Sequence, residues 1–307
     1  MTRTVRGAFV VAVAGLASIA SIPVALAFDL EDYLEAAAEA DYAGSQVVIA
    51  RWDGESLVAV IEVEHAGSLT MLQGGRVVDA GKVFADGSAG SIVVSAWKRY
   101  ASDRYSASDP VAARRLGRDA ESVAILEDDG AVRAKIVFDE ETGAALTTEI
   151  YDGDGRLFRL STMMQFDSTP WKAYAIDKSD EGISDVLLSI DTTKLPDDAA
   201  GYRLADMYSG PDDVVQAFYT DGLFSFSLFE LERQAEQFED AVGFEIDGRD
   251  YKRLATATDV WVSWQAGGST YLLVGDLPPD HLEEVLVELP QPSALNIFRR
   301  FWRGIFG

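Results

Sequence analysis

The sequence predicts a mainly β protein with an α+β part: a curved antiparallel half-barrel with a covering helix, followed by a smaller α+β domain. Three observations predict it. Apolar residues recur with period two from about residue 45 to Phe166, interrupted at short intervals by Gly- and Asp-containing turns. A single amphipathic helical stretch precedes that run, and another closes the second half. Between the halves, residues 169–200 are rich in Asp, Ser and Lys, carry Pro170 and Pro196, and read as a linker.

The elements follow in order. Residues 1–27 open with Arg3 and Arg6, continue through an apolar run from Ala8 to about Ile22, and end on Ala25-Leu26-Ala27 after Pro23. That is the pattern of a secretory signal peptide with a small-x-small cleavage site, so the chain is expected to be exported. The apolar run is diluted by Gly, Ala and Ser and is marginal for the ~20 residues a membrane span needs. Residues 29–41 place Leu30, Tyr33, Leu34, Ala37 and Ala38 at helical spacing, with acids in the first turn where the helix dipole favours them.

Strands are expected at 45–52 and 56–65 around Asp53-Gly54, a pair that tolerates the positive φ angles of a tight hairpin. Further strands are expected at 68–73, 75–79, 91–97, 121–127, 131–138, 144–151 and 156–166. The polar window 98–120 holds six basic residues, Lys98, Arg99, Arg104, Arg114, Arg115 and Arg118. It reads as a solvated loop with a short helix at 110–117, or as a docking patch. The half-barrel is bounded at 28–168 and the small α+β domain at 201–290. Within the latter, strands are expected at 202–209, 213–221, 222–231, 259–264 and 269–275. A helical stretch is expected at 232–242, and Pro278-Pro279 opens a helix at 279–289.

Composition narrows the function. The 307 residues carry 26 Lys and Arg against 51 Asp and Glu, for a formal charge of -25, so nucleic acid is a poor partner. No cysteine is present, which excludes disulfides, thiolate nucleophiles and Cys-ligated zinc. The two histidines, His65 and His281, stand far apart in sequence. The Asp152-Gly153-Asp154-Gly155 run begins like a calcium loop, but the position that needs a bidentate Glu is Met163, so a hairpin turn is the better reading. Asp139, Glu140 and Glu141 before Gly143 read as solvated turn residues rather than an acid–base pair. No G-x-S-x-G elbow, Gly-rich phosphate loop or H-E-x-x-H occurs. No catalytic residue, cofactor or metal is expected.

Two features point to binding. Ile49, Ile61, Ile136, Phe138, Leu146, Ile150, Phe158, Leu160, Met164 and Phe166 are the apolar strand residues that would line one concave sheet face. They form either an ordinary core or a cavity for an apolar, lipid-like ligand, to which an adaptable Met is suited. The tail 291–307 separates Leu295, Phe298, Trp302, Ile305 and Phe306 from Arg299, Arg300 and Arg303 on opposite helical faces, without an acid in 294–307. Phe298, Arg299, Arg300, Trp302 and Arg303 are therefore the expected partner or membrane contact. A terminal helix packed on the second domain is the other reading.

Several segments resemble the MucB/RseB family of sigma-E regulatory proteins. YTDGLFSFSLFE (219–230) is similar to the family's strand pair around its S-D-G-L turn, and YLLVGDLPPDHLEEVLVEL (271–289) to its strand, Pro-Pro corner and final helix. YAGSQVVIAR (42–51) resembles the opening strand, and VFDEETGAALTTEIYDGDGRLF (137–158) the family's hairpins. The resemblance spans roughly 42–289 and is weakest at 66–120 and across the linker. It implies a lipoprotein-carrier-like half-barrel followed by a smaller domain, in the periplasm or extracytoplasmic envelope. It also implies a non-enzymatic regulator of envelope-stress sigma-factor signalling, which binds the extracytoplasmic part of a membrane anti-sigma factor and senses a lipid-like ligand. An extracytoplasmic lipid or lipoprotein carrier is the alternative expectation.

Overall fold

A computed structural model describes residues 30–66, 69–72, 76–79, 82–84, 103–169, 195–209, 214–231 and 240–292. The signal segment, the tail contact residues Phe298, Arg299, Arg300, Trp302 and Arg303, the strand expected at 91–97 and most of the linker lie outside the described residues. So does most of the helix expected at 232–242.

The molecule is mainly β, with two open antiparallel sheets. Helix α1 (Leu30–Glu39) precedes the first sheet. That sheet comprises β1 (Tyr42–Trp52), β2 (Glu55–Ala66), β3 (Leu69–Leu72), β4 (Arg76–Asp79), β5 (Lys82–Phe84), β6 (Tyr105–Ala107), β7 (Val111–Arg115), β8 (Arg118–Glu127), β9 (Val132–Asp139), β10 (Ala145–Tyr151) and β11 (Leu157–Asp167). Its order is β5-β4-β3-β2-β1-β11-β10-β9-β8-β6, with β7 also pairing on β8. The second sheet comprises β12 (Asp198–Ala199), β13 (Tyr202–Ser209), β14 (Val215–Thr220), β15 (Ser225–Leu231), β16 (Val242–Ile246), β17 (Arg249–Ala255), β18 (Val260–Ala266) and β19 (Ser269–Gly275). Its order is β12-β13-β14-β15-β19-β18-β17-β16, and helix α2 (Pro279–Glu288) follows.

Helix α1 lies on one face of the first sheet because its apolar stripe buries Leu30 and Leu34 there. Tyr33 stacks on Phe138 with ring centroids 5.0 Å apart, and its hydroxyl donates to Glu121 at 2.8 Å. The approach is close at the β9–β10 turn. A Cβ on Gly143, whose φ is +76°, would sit 2.8 Å from that of Ala36, so only glycine suits both the turn and the helix.

Register decides what each strand residue faces, since residues directly opposite across antiparallel strands share a face. Gln46 lies opposite Met163 and Ile61, and Gly44 opposite Phe166 and Val63. On the same face, Ile150 pairs with Ala134 and Arg159, and Val123 with Ile136. Two bulges add residues to the buried set. Leu146 is the extra residue where β10 shifts against β9, and Phe158 where β11 shifts against β10. Leu146 packs with Val63 and Met163, while Phe158 meets Trp52 edge-on at 5.1 Å.

The ten apolar residues expected on a single face are therefore not all brought together. Ile49 lies opposite Leu160 and Val58 on the other face, and Val58 is 63% exposed. Met164 is the extra residue at a third bulge and is 44% exposed, whereas its neighbour Met163 is buried. The physical reason is the period of two: one bulge reverses the parity that a sequence pattern assumes.

The window at 98–120 also departs from expectation. Val111–Arg115 is a strand, not a helix, because Leu116-Gly117 forms a hairpin turn with φ of +54° and +78° and returns the chain onto β8. Its described arginines serve the fold. Arg118 forks onto Asp139 at 2.6 and 2.9 Å and reaches Glu141 at 2.7 Å, while Arg115 donates to Thr162 Oγ1 at 2.6 Å. Asp139 is thus not a solvated turn residue. Burial raises its pKa, but the bonds from Arg118 and Thr142 outweigh that and hold it below the usual carboxylate range.

Candidate functional site

The turns that follow β1, β8 and β10 all lie at one end of the first sheet, and this end meets the second half of the chain. The opposing surface is built from the β14–β15 turn, the corner between β19 and α2, and strand β17. One buried apolar cluster runs through both halves, from Leu30 and Trp52 to Leu273 and Leu286. Set into it is a group of charges in which arginines come mainly from the first sheet and carboxylates mainly from the second.

Asp221 is placed by its own turn. Its Oδ1 accepts the backbone N–H groups of Leu223 and Phe224 at 2.9 and 2.8 Å, and its Oδ2 accepts the Tyr105 hydroxyl at 2.6 Å. Arg104 lies 3.7 Å from the same carboxylate and donates to Ala200 O at 3.1 Å. Pro278-Pro279 starts helix α2 and sets Asp280 in its first turn, where the helix dipole favours an acid. Arg133 of β9 then bridges two carboxylates, Glu127 at 2.6 Å and Asp280 at 2.7 Å.

His281 is buried at the centre of this end. Its Nδ1 lies 2.7 Å from the Tyr202 hydroxyl, and its Nε2 lies 3.0 Å from Arg104 Nη2 and 3.4 Å from Glu127 Oε1. Glu127 is pushed down to about 2, first by its bond to His281 and then by Arg133 and Arg104, against the opposing effect of burial.

The other end of the junction is built differently. Arg159 of β11 is 8% exposed, and neither its Nε nor its Nη2 has a hydrogen-bond partner. Its guanidinium lies against the Phe158 ring at 5.1 Å and feels the charges of Asp276 and Asp259 without bonding to either. Burial exceeds those attractions and lowers its pKa. Asp276 is pushed up to about 6 by burial in spite of Arg159. Both members of the pair therefore report the same balance: desolvation outweighs attraction. The Trp52 indole N–H nearby is also buried without an acceptor. Arg253 of β17 covers the Trp52 ring at 4.8 Å and pairs with Asp53.

Of the residues singled out from sequence, Ile136, Phe138, Ile150 and Phe158 belong to the cluster that continues into this junction, and Leu146 and Phe166 to a smaller one beside Met163. Ile61 shares their face and is half-buried. Arg133, Arg159, Tyr202, Asp221 and Asp276 were not singled out. Arg133 and Arg159 stand between apolar neighbours inside strands, and Asp221 and Asp276 stand at corners, patterns that do not by themselves mark a site. Among the described residues, no group of three or more metal-ligating side chains is arranged to hold an ion.

The fold and site define a two-sheet β protein, helix-covered on its first sheet, whose halves meet through buried charges. No family model matches the chain, and no curated protein matches it. Among solved structures it is similar to MucB at 20% identity, over 84% of this chain and 94% of that one, with a TM-score of 0.47. The Pseudomonas aeruginosa MucA/MucB complex is similar at 18% identity, over 87% and 99%, with a TM-score of 0.45. A putative outer membrane lipoprotein-sorting protein domain from Vibrio parahaemolyticus is similar at 11% identity, over 49% and 92%, with a TM-score of 0.21. At scores under one half these are likenesses of outline.

Proposed function

We propose that the chain is an exported, non-enzymatic regulator that grips the extracytoplasmic part of a membrane anti-sigma factor and changes its grip when an apolar, lipid-like ligand binds. One observation carries the reading. The two segments that most resemble the MucB/RseB family in sequence, 219–230 and 271–289, contribute Asp221, Asp276, Asp280 and His281 to the junction. The residues of the resemblance are thus the residues that couple the halves. A ligand shifts such a complex only through its differential affinity for the two states, and a shared junction is where that difference can act.

The first sheet is the ligand-sensing part in this reading, on the α1 face where Ile61 and Phe166 stay half-buried beside Tyr42. The second half holds the partner, and the basic tail touches a membrane surface. The test is direct. The mature chain is immobilised, and the extracytoplasmic part of a single-span anti-sigma factor from the same genome is passed over it with and without lipid micelles. Saturable binding that lipid weakens supports the proposal. No binding, with lipid co-purifying on the chain, supports a carrier instead.

A further inference from the structure

Strand β16 ends the second sheet, and among the described residues it pairs with β17 alone. A terminal strand presents a row of unpaired backbone N–H and C=O groups, and folded proteins blunt such edges with very short strands, bulges, Pro or charged side chains. The other strands that end the two sheets follow that practice: β12 has two residues, β5 and β6 have three each, and β7 carries Arg114 and Arg115. In contrast, β16 has five residues without Lys, Arg or Pro, and its register runs unshifted from Val242 opposite Arg253 to Ile246 opposite Arg249. Its one charge is Glu245, which repels an anionic strand and attracts a cationic one.

The two-residue Asp247-Gly248 turn makes Ile246 and Arg249 the hydrogen-bonded pair that closes the hairpin. Bonded and unbonded pairs alternate from there, so Gly243 and Glu245 turn their N–H and C=O groups to the open side. Both residues are exposed, and a Cβ on Gly243 would meet nothing nearer than Tyr251 O at 4.0 Å. The two faces of the edge differ. Val242, Phe244 and Ile246 share one face, where Val242 is 60% exposed and Phe244 stacks on Tyr251 at 5.5 Å. On the other face Glu245 stands directly opposite Asp250, a like-charged pair, and Asp240 and Asp247 are exposed at the two ends of the strand.

We propose that β16 is a docking edge for an extended, basic segment of another protein, which adds a strand to the second sheet through backbone bonds to Gly243 and Glu245. Apolar side chains of that segment lie beside Val242, Phe244 and Ile246, and a cationic one lies beside Glu245 and offsets its repulsion by Asp250. A second copy of this chain is the poorer occupant, because each copy carries a formal charge of -25. The edge stands apart from the junction between the halves, so this inference is independent of the anti-sigma and lipid reading.

The probe is a dye-labelled, end-capped peptide of alternating valine and lysine, titrated onto the full mature chain by fluorescence anisotropy. Saturable binding is expected, weakened by salt and accompanied by slower amide hydrogen exchange at Gly243 and Glu245. A peptide of the same composition with its valines and lysines in separate blocks should bind at least about fivefold more weakly, the equivalent of one hydrogen bond lost. The alternating peptide with its backbone amides N-methylated should lose as much, an arm that leaves the protein unaltered. Glu245→Lys should weaken the lysine peptide by a similar factor and favour its glutamate counterpart. Gly243→Pro, a change that an edge strand accepts where its N–H faces outward, should weaken both. Equal binding of the alternating, blocked and N-methylated peptides overturns the proposal. So does binding that leaves exchange in β16 unchanged, or no binding at all.

Discussion

Arg133 and Arg159 stand on neighbouring regions of one sheet, both nine-tenths or more buried and both aimed at carboxylates of the second half. Arg133 sits between Glu127 and Asp280 with bonds of 2.6 and 2.7 Å, whereas two nitrogens of Arg159 bond to nothing. The difference teaches that charge complementarity alone does not hold the halves together. Geometry close enough for hydrogen bonds separates a clasp from a cost.

The comparison can be broken from its strong side first. Arg133→Met should destabilise the chain by about 3 kcal/mol in urea unfolding, because Asp280 would lose its cation and Glu127 would keep only Arg104 in a poorly solvated setting. A loss under about 1 kcal/mol would mean that the two arginines do not differ. Tyr105→Phe should cost about 1–2 kcal/mol by the same measurement, since Asp221 would keep its turn bonds and lose only the hydroxyl.

Acid should separate the two ends. Glu127 is held at about 2 from an ordinary 4.5, so its contribution is complete above pH 4.5 and lost as pH falls through 2. Asp276 is the opposite case. Its pKa is raised from 3.8 to about 6, so the folded state is favoured while it is protonated, and that advantage disappears as pH rises from 3.8 through 6. Asp276→Asn should therefore stabilise the chain at pH 7.5 relative to the original and lose that lead by pH 4. A lead that is the same at both values would remove the desolvation account. The smallest expected effect on stability comes from deleting 294–307, which should leave unfolding unchanged but reduce co-sedimentation with anionic liposomes. Unchanged sedimentation would end the membrane role of Phe298, Arg299, Arg300, Trp302 and Arg303.

Turn chemistry made much of the fold legible. Asp53-Gly54 marks a hairpin because few other residues accept positive φ there, and it joins β1 to β2 as expected. The same signal stands at Asp247-Gly248, between β16 and β17. Their sequences, VGFEI and RDYKRLA, mix charge and apolar residues too evenly for periodicity to stand out. The short helix expected at 110–117 is instead the strand Val111–Arg115, where pairing with β8 overrides the helix preference of Ala and Arg. In the candidate site, the apolar residues were visible and the charges were not. Nothing local distinguishes Arg159, set between Phe158 and Leu160, from an arginine pointing to water.

By itself the sequence determined the β character, the order of most elements, the acidic surface and the exclusion of cysteine chemistry, since each follows from residue type or short-range spacing. Only the tertiary structure decided which residues share a face and which charges meet. Bulges reverse parity by a single residue, and a hydrogen bond depends on tenths of an ångström between strands more than a hundred residues apart, which no local pattern encodes.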